Sequence, residues 1–251
     1  MHPHLFHLGP VTLQTYGAVA ALGLVLAMML AARNARVAGL EEDAVWSTCL
    51  VAIVGTLVVS RIVLAMENLR AFRLYPLLIL TLPTVTRYGL GVSVLSGVAY
   101  AMYRRLPLRA LGDAVAPASM LLAAFLHFGD LMAGNDIGSA TTGAFGRLVP
   151  SLHSANGIGS HPVALYSAVA HLLIAGLGVW YLPRRRHAGE VLGGIVMLSA
   201  AARFLIDCVR PAPIEAGTVF AGLRVDQYLL LCIVVSGGAL LLQSKEHQRA
   251  L

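Results

Sequence analysis

The sequence predicts an all-α polytopic membrane protein with about seven transmembrane helices, and three observations carry that prediction. Charged side chains make up only 12% of the 251 residues, about half of the roughly 25% usual in soluble chains. Hydrophobic residues account for 58%, and the mean hydropathy is +0.77. The apolar residues fall in long stretches punctuated by arginine, the pattern of bilayer-crossing helices separated by loops. Disorder is excluded, because apolar residues dominate and no long polar tract appears. We expect a single integral-membrane domain over residues 1–251.

The expected spans are Val11–Ala32, Val45–Met66, Tyr88–Tyr103, Asp113–His127, Pro162–Tyr181, Val191–Asp207 and Val225–Leu242. A hydrocarbon core about 30 Å thick needs roughly 20 apolar residues in a helix, so the third and fourth are short. The run Tyr75–Thr84, bounded by Pro76 and Pro83, is too short to cross and reads as an interfacial or re-entrant piece. The first span is not read as a signal peptide, since its flank is rich in His rather than basic and no small-residue cleavage site follows.

Orientation follows from the basic residues, 18 in all, of which Lys245 is the one lysine. With the N-terminus outside, the inner segments hold Arg33, Arg36, Arg104, Arg105, Arg109, Arg184, Arg185, Arg186, Lys245 and Arg249. The outer segments hold Arg70, Arg73, Arg87, Arg147, Arg210 and Arg224. The excess inside predicts N-out and C-in. The basic balance, with a pI of about 9.6, therefore reflects loops and phosphate headgroups, not nucleic acid. Residues 128–161, between the fourth and fifth spans, are rich in Gly, Ser and Asn and carry Asp130, Asn135, Asp136, Arg147 and His153. They form an extracytoplasmic loop or head region, read either as functional or as a tether. Cys49, Cys208 and Cys232 are far apart, which suggests neither a disulfide framework nor a zinc ribbon.

Ionisable residues inside spans cost about 2.5–3.5 kcal/mol each on insertion scales and normally face the bundle interior. Arg61 lies late in the second span and Arg203 late in the sixth. Arg203, Asp207 and Arg210 are spaced i, i+4, i+7 and share one helix face. Arg203 with Asp207 reads as a structural ion pair or as a face that also meets an anionic ligand. His127 and Asp130, at i and i+3, read as a base with its orienting carboxylate or as polar residues at a span end. Asp113 with Pro117 looks like a helix start, with the carboxylate as its cap. Tyr16, Arg61, His127 and Arg203 all fall toward the outer ends of four helices, and that convergence predicts a site facing the outer leaflet. Guanidinium groups there suit a phosphate better than a metal. No metal site is expected, since His2, His4 and His7 form only a loose group without further ligands at metal spacing.

These residues and their order resemble the prolipoprotein diacylglyceryl transferase family along nearly the whole chain. Leu8-Gly9-Pro10-Val11-Thr12-Leu13 with Tyr16-Gly17 is similar to the family's start, Ser60-Arg61-Ile62 to its second-span arginine motif, and Asp113-Ala114-Val115-Ala116-Pro117 to its Asp-x-x-Ala-Pro. His161-Pro162 with Leu165-Tyr166 resembles His-Pro-Ser-x-Leu-Tyr-Glu. Arg203, Asp207 and Arg210 match an Arg-x-x-x-Glu-x-x-Arg face, and Asp226-Gln227 falls where the family has Gly-Gln. The departures fall on the chemistry. His-Gly-Gly reads Tyr88-Gly89-Leu90-Gly91, and Arg-x-Gly-Asn-x-x-Asn-Gly-Glu reads His127 through Asn135 with the Arg, both Asn and the Glu replaced. A tyrosine with an ordinary pKa of about 10 is no base near neutrality, so His127 is the candidate to take that duty.

The resemblance implies transfer of a diacylglyceryl group from phosphatidylglycerol to the thiol of a lipobox cysteine, in the bacterial inner membrane, with no cofactor. His127, Asp130 and Arg203 are the expected catalytic residues. Tyr16, Arg61, Tyr88, Gly89, Asn135, His161, Asp207 and Arg210 are expected to meet a phosphatidylglycerol-like phospholipid or a lipobox-bearing preprolipoprotein. Two other readings stand beside this one. The first is a non-catalytic accessory protein that binds phospholipid or lipoprotein. The second is a small-solute transporter, disfavoured because no internal repeat or pair of broken midplane helices is visible.

Overall fold

The computed structural model describes residues 4–8, 11–74, 87–141, 143, 159–210, 218–220 and 223–246. Among these, seven long helices follow the chain: α1 (Thr15–Ala38), α2 (Glu42–Glu67), α4 (Arg87–Tyr103), α5 (Leu108–Ala133), α6 (Val163–Tyr181), α7 (Glu190–Asp207) and α8 (Val225–Glu246). A short α3 (Leu69–Leu74) follows α2. Small antiparallel pairs decorate the connections: β1 (His4–Leu8) with β2 (Val11–Gln14), β3 (Ala140–Thr141) with β4 (Gly159–Ser160), and β5 (Thr218–Phe220) with β6 (Leu223–Arg224). Four stretches, Thr15–Ala38, Glu42–Glu67, Leu108–Ala133 and Val163–Arg184, are long and apolar enough to cross a membrane by length and composition. The fold is therefore all-α and polytopic, as the sequence predicts.

The helices pack in an order that differs from the chain: α1 lies chiefly on α5, α2 on α4, α5 on α6, and α7 on α8. The core is built from small residues. One cluster gathers Ala27, Ala31, Ala35, Val45, Ala101, Leu111 and Ala118. Large apolar side chains such as Met29, Val54, Val94, Leu173 and Val235 instead point outward and stay exposed. A soluble bundle would invert this. In lipid, burying large apolar groups brings little gain, and close backbone approach over small residues holds helices together. Gly89 illustrates that approach, since a Cβ there would sit 2.0 Å from Ser60 Oγ and 2.9 Å from the Thr56 carbonyl oxygen.

Two expectations about the fourth span need correction. It runs not from Asp113 to His127 but over the 26 residues of α5, so it is not short. Asp113 does not cap its own helix, and Pro117 lies in the helix interior. Asp113 is fully buried and reaches the far side of a different connection. Its Oδ2 accepts from the Gly189 backbone N–H (2.7 Å) and its Oδ1 from the Leu192 N–H (2.8 Å), which caps the N-terminus of α7. Arg185 Nη1 donates to the same carboxylate at 2.5 Å, and Arg185 Nη2 donates to the Ala38 carbonyl at the end of α1 (3.1 Å). One ion pair thus ties three helix ends together, which satisfies backbone groups that helix ends otherwise leave open. At the same end Arg36 makes a two-pronged contact with Glu42 across the α1–α2 turn.

The first helix also starts later than Val11 and runs on past Ala32, because Val11–Gln14 is taken up by β2. Helix α5 stops at Gly134, whose φ of 80° is the left-handed conformation that a helix C-cap requires. Residues of the expected 128–161 loop therefore divide: 128–133 are helical, 134–141 and 159–161 are ordered connections, and Arg147 and His153 lie outside the described residues. The run Tyr75–Thr84 lies outside them as well.

Candidate active site

The site assembles at the bundle end opposite the Asp113 knot, where α1 and α6 begin and α5 and α7 finish. Three backbone bonds fix its frame. The Gly138 N–H donates to the His161 carbonyl (2.8 Å), the His161 N–H to the Ser139 carbonyl (3.0 Å), and the Ser139 N–H to the Val209 carbonyl (2.9 Å). The Ser139 hydroxyl adds a second bond to Val209 O at 2.9 Å. The segments before α6 and after α7 are thereby laced to the segment after α5.

On this frame α7 presents its ionic face. Asp207 is buried and accepts from Arg203 Nε at 3.1 Å and from Arg210 Nη1 at 2.9 Å. Arg210 Nη2 donates to Asp136 Oδ2 at 2.6 Å. Two guanidinium groups and two carboxylates give no net charge, so affinity for an anion rests on whichever cation keeps donors free. Both terminal nitrogens of Arg210 are held by carboxylates. Among the described residues Arg203 commits only its Nε, and its side chain is 43% exposed, which leaves donors of its guanidinium for a phosphate. Asp207 sets the plane of that guanidinium.

The imidazoles lie beside it. His127 on α5 and His171 on α6 bring their rings to 5.1 Å between centroids, tilted by 32°. His171 Nδ1 donates to the Ser167 carbonyl one turn back (2.7 Å). That bond puts a proton on Nδ1, and no hydrogen bond is found at Nε2 among the described residues. The Nδ1 of His127 is buried without a hydrogen-bond partner among the described residues. Asp130 lies 3.8 Å from it, beyond hydrogen-bond reach. Asp136, Arg203 and Arg210 are close enough for their charges to act on the His127 ring. Tyr16, at the start of α1, packs over Gly129, where a Cβ would come within 3.0 Å of the tyrosine ring. The Asp130 charge reaches the Tyr16 side chain.

The structure thus brings Tyr16 of α1, His127 and Asp130 of α5, Arg203 and Asp207 of α7, and Arg210 just past α7 to one end of the bundle. Asn135 donates to Asp130 Oδ1 at 3.4 Å and is exposed on the rim. His161 Nδ1 lies 3.2 Å from the Tyr166 hydroxyl, on the turn into α6. Arg61 stands on α2, one residue past the Ser60 that meets Gly89, with a buried Nη1 that has no partner among the described residues. Gly89 is buried in the α2–α4 crossing, and the Tyr88 side chain lies outside the described residues. Sequence reasoning missed His171. Its signal was present, since a lone histidine in the apolar run Val163–Tyr181 carries the insertion cost that singled out Arg61 and Arg203.

Comparison with known proteins identifies the family. The family model described as prolipoprotein diacylglyceryl transferase matches residues 3–243. The phosphatidylglycerol–prolipoprotein diacylglyceryl transferase of Tolumonas auensis is 28% identical, over 98% of this chain and 97% of its own. The enzyme of that name from Clostridium tetani is 24% identical over 94% and 95%, and that from Limosilactobacillus reuteri 27% over 94% and 88%. A match that runs almost end to end, on an all-α membrane bundle with an ionic α7 face, settles the assignment. This chain belongs to the prolipoprotein diacylglyceryl transferase family.

Proposed function

We propose that this protein transfers a diacylglyceryl group from phosphatidylglycerol to the cysteine thiol of a lipobox-bearing preprolipoprotein. The reaction takes place at the outer leaflet of a bacterial inner membrane, with seven crossings, the N-terminus outside and the C-terminus in the cytoplasm. The observation that carries this reading is the exposed, Asp207-aligned fork of Arg203 beside the His127–His171 pair.

In the reaction the cysteine sulfur bonds to the primary carbon of the diacylglyceryl group while the bond from that carbon to the phosphate oxygen breaks. The electron pair leaves with the phosphate, and glycerol phosphate departs. The thiol proton passes to an imidazole nitrogen and from there to the departing phosphate, so protons balance. Only the thiolate is an effective nucleophile, and an uncommitted imidazole nitrogen is the base that can generate it near neutral pH. His127 Nδ1 and His171 Nε2 are both candidates, and either compensates for Tyr88 standing where the family pattern has histidine. Charge grows on the phosphate as the carbon–oxygen bond opens, and the remaining donors of the Arg203 guanidinium stabilise it. Arg210 and Asp136 hold Asp207 in place, and Tyr16 closes the site above Gly129.

The test is transfer by the purified full-length protein, using phosphatidylglycerol labelled in its acyl chains and a lipobox peptide. Thioether product should form with the native chain and be lost in Arg203→Ala and in His127→Ala. Phospholipid that binds without any label reaching the peptide would establish the accessory-protein reading instead.

A further inference from the structure

An apolar feature lies at the opposite end of the bundle from the transfer site, near the Asp113 knot. Helices α6, α7 and α8 leave between them an apolar groove of about 370 Å³, lined by Leu177 and Trp180 of α6, Gly194, Ile195 and Leu198 of α7, and Leu241 of α8. Its floor is solid core, because Gly178 is pressed against Ile195 and Pro117. Its wall is bare at Gly194, where a Cβ would meet nothing within 4 Å. The lining runs from Ile174 to Tyr181 and from Glu190 to Leu198. At about 1.5 Å per residue that is roughly 12 Å of helix, most of the depth of one leaflet, which is about half of a 30 Å hydrocarbon core.

The mouth has the chemistry of a membrane interface. Trp180 and Tyr181 stand there, as aromatic belts do. The Arg184 guanidinium stacks 4.5 Å above the Trp180 ring. The Arg186 side chain is exposed, and its charge acts on the Tyr181 hydroxyl. The carboxylate of Glu190 also lies at the mouth, but it is buried and held by the Tyr181 hydroxyl (3.1 Å) and the Arg186 N–H (2.9 Å). Among the described residues, two exposed arginines against one buried, hydrogen-bonded carboxylate leave the mouth positive.

We propose that this groove is a binding site for one acyl chain of an anionic phospholipid in the leaflet opposite the transfer site, with its headgroup on Arg184 and Arg186. The lipid completes the core formed by Ile174, Leu182, Val191 and Ile195 and is not consumed. The inference is independent of the transfer reaction.

Full-length protein in phosphatidylcholine nanodiscs is doped with phosphatidylserine or phosphatidylcholine carrying a photoreactive diazirine at mid-chain, irradiated, and mapped by peptide mass spectrometry. Labelling should concentrate on residues 174–198, more strongly with phosphatidylserine. Gly194→Leu puts a side chain into the open space. It should lower labelling there to the level of the other lipid-facing helices while the melting temperature is kept. Gly194→Ala is too small to fill the groove and should keep the label. Arg184→Gln with Arg186→Gln should abolish the preference for phosphatidylserine while apolar labelling remains. The proposal fails if labelling is even along all outward faces or if Gly194→Leu leaves it unchanged.

Discussion

Replacing Asp113 by alanine should destabilise the protein more than any other single truncation at its end of the bundle. The carboxylate has no exposed surface, and it accepts three hydrogen bonds, at 2.5 Å from Arg185, 2.7 Å from Gly189 N and 2.8 Å from Leu192 N. Its loss strands a guanidinium that is only 14% exposed together with two N–H groups at the start of α7. Removing one partner of a buried ion pair costs about 3–5 kcal/mol. At roughly 2–4 °C per kcal/mol for a chain of this size, the expected fall in melting temperature is on the order of 10 °C. Thermal unfolding in detergent, followed through tryptophan emission, measures it, since Trp180 lies one turn before Arg184. Arg185→Ala should cost less, about 1–3 kcal/mol, because Asp113 keeps both backbone donors. The double variant should fall short of the sum, as directly contacting residues do. Transfer per folded molecule should be unchanged, because the groups proposed to react are at the other end. The reasoning is refuted if Arg185→Ala is as damaging as Asp113→Ala, or if Asp113→Ala melts with the native chain.

Arg203→Ala should lower the transfer rate by about 10²–10³, as expected when a group that stabilises developing charge is removed, and Arg203→Lys should restore little, because an ammonium cannot present a fork held in plane by Asp207. His171→Ala should reduce the rate by about 10²-fold or more if its Nε2 takes part in proton transfer, whereas Ser167→Ala should not, since Ser167 holds His171 through its backbone carbonyl. Gly89→Ala should lower the melting temperature by several degrees, consistent with about 1–3 kcal/mol of overpacking, because the new Cβ meets Ser60 Oγ and the Thr56 carbonyl. Asp136→Ala should free Arg210 Nη2, loosen the segment after α5 and raise its hydrogen–deuterium exchange around residues 134–141, with a smaller stability loss than Asp113→Ala because the pair is partly exposed.

The sequence makes the helices and the level of the site legible for the same reason: both depend on position along a span. An arginine late in one helix and a histidine late in another must come to similar heights, and Tyr16, His127 and Arg203 do. The helix-face spacing of Arg203, Asp207 and Arg210 likewise appears as two ion pairs. Partners from distant segments are not legible in that way. Asp113 looks like the cap of its own helix because Pro117 is near in sequence, yet its ionic partner is 72 residues away. The match of Arg210 with Asp136 spans 74 residues. Periodicity says which face a residue occupies but not which helix arrives opposite. His171 was missed for another reason: an apolar window absorbs one histidine without changing its reading.

The packing order has a consequence for how the chain is made. Helix α1 is made before α5, yet the carbonyl that meets its Asn34 belongs to Ala114, 80 residues later. Its interior face is narrow and alanine-lined, with Gly23 shaped to the contour of Phe125 on α5. Until α5 is inserted, that face has only α2, a minor neighbour, to lie against. A truncation before α5 therefore removes the main packing partner of the first helix, although every residue of that helix is still present.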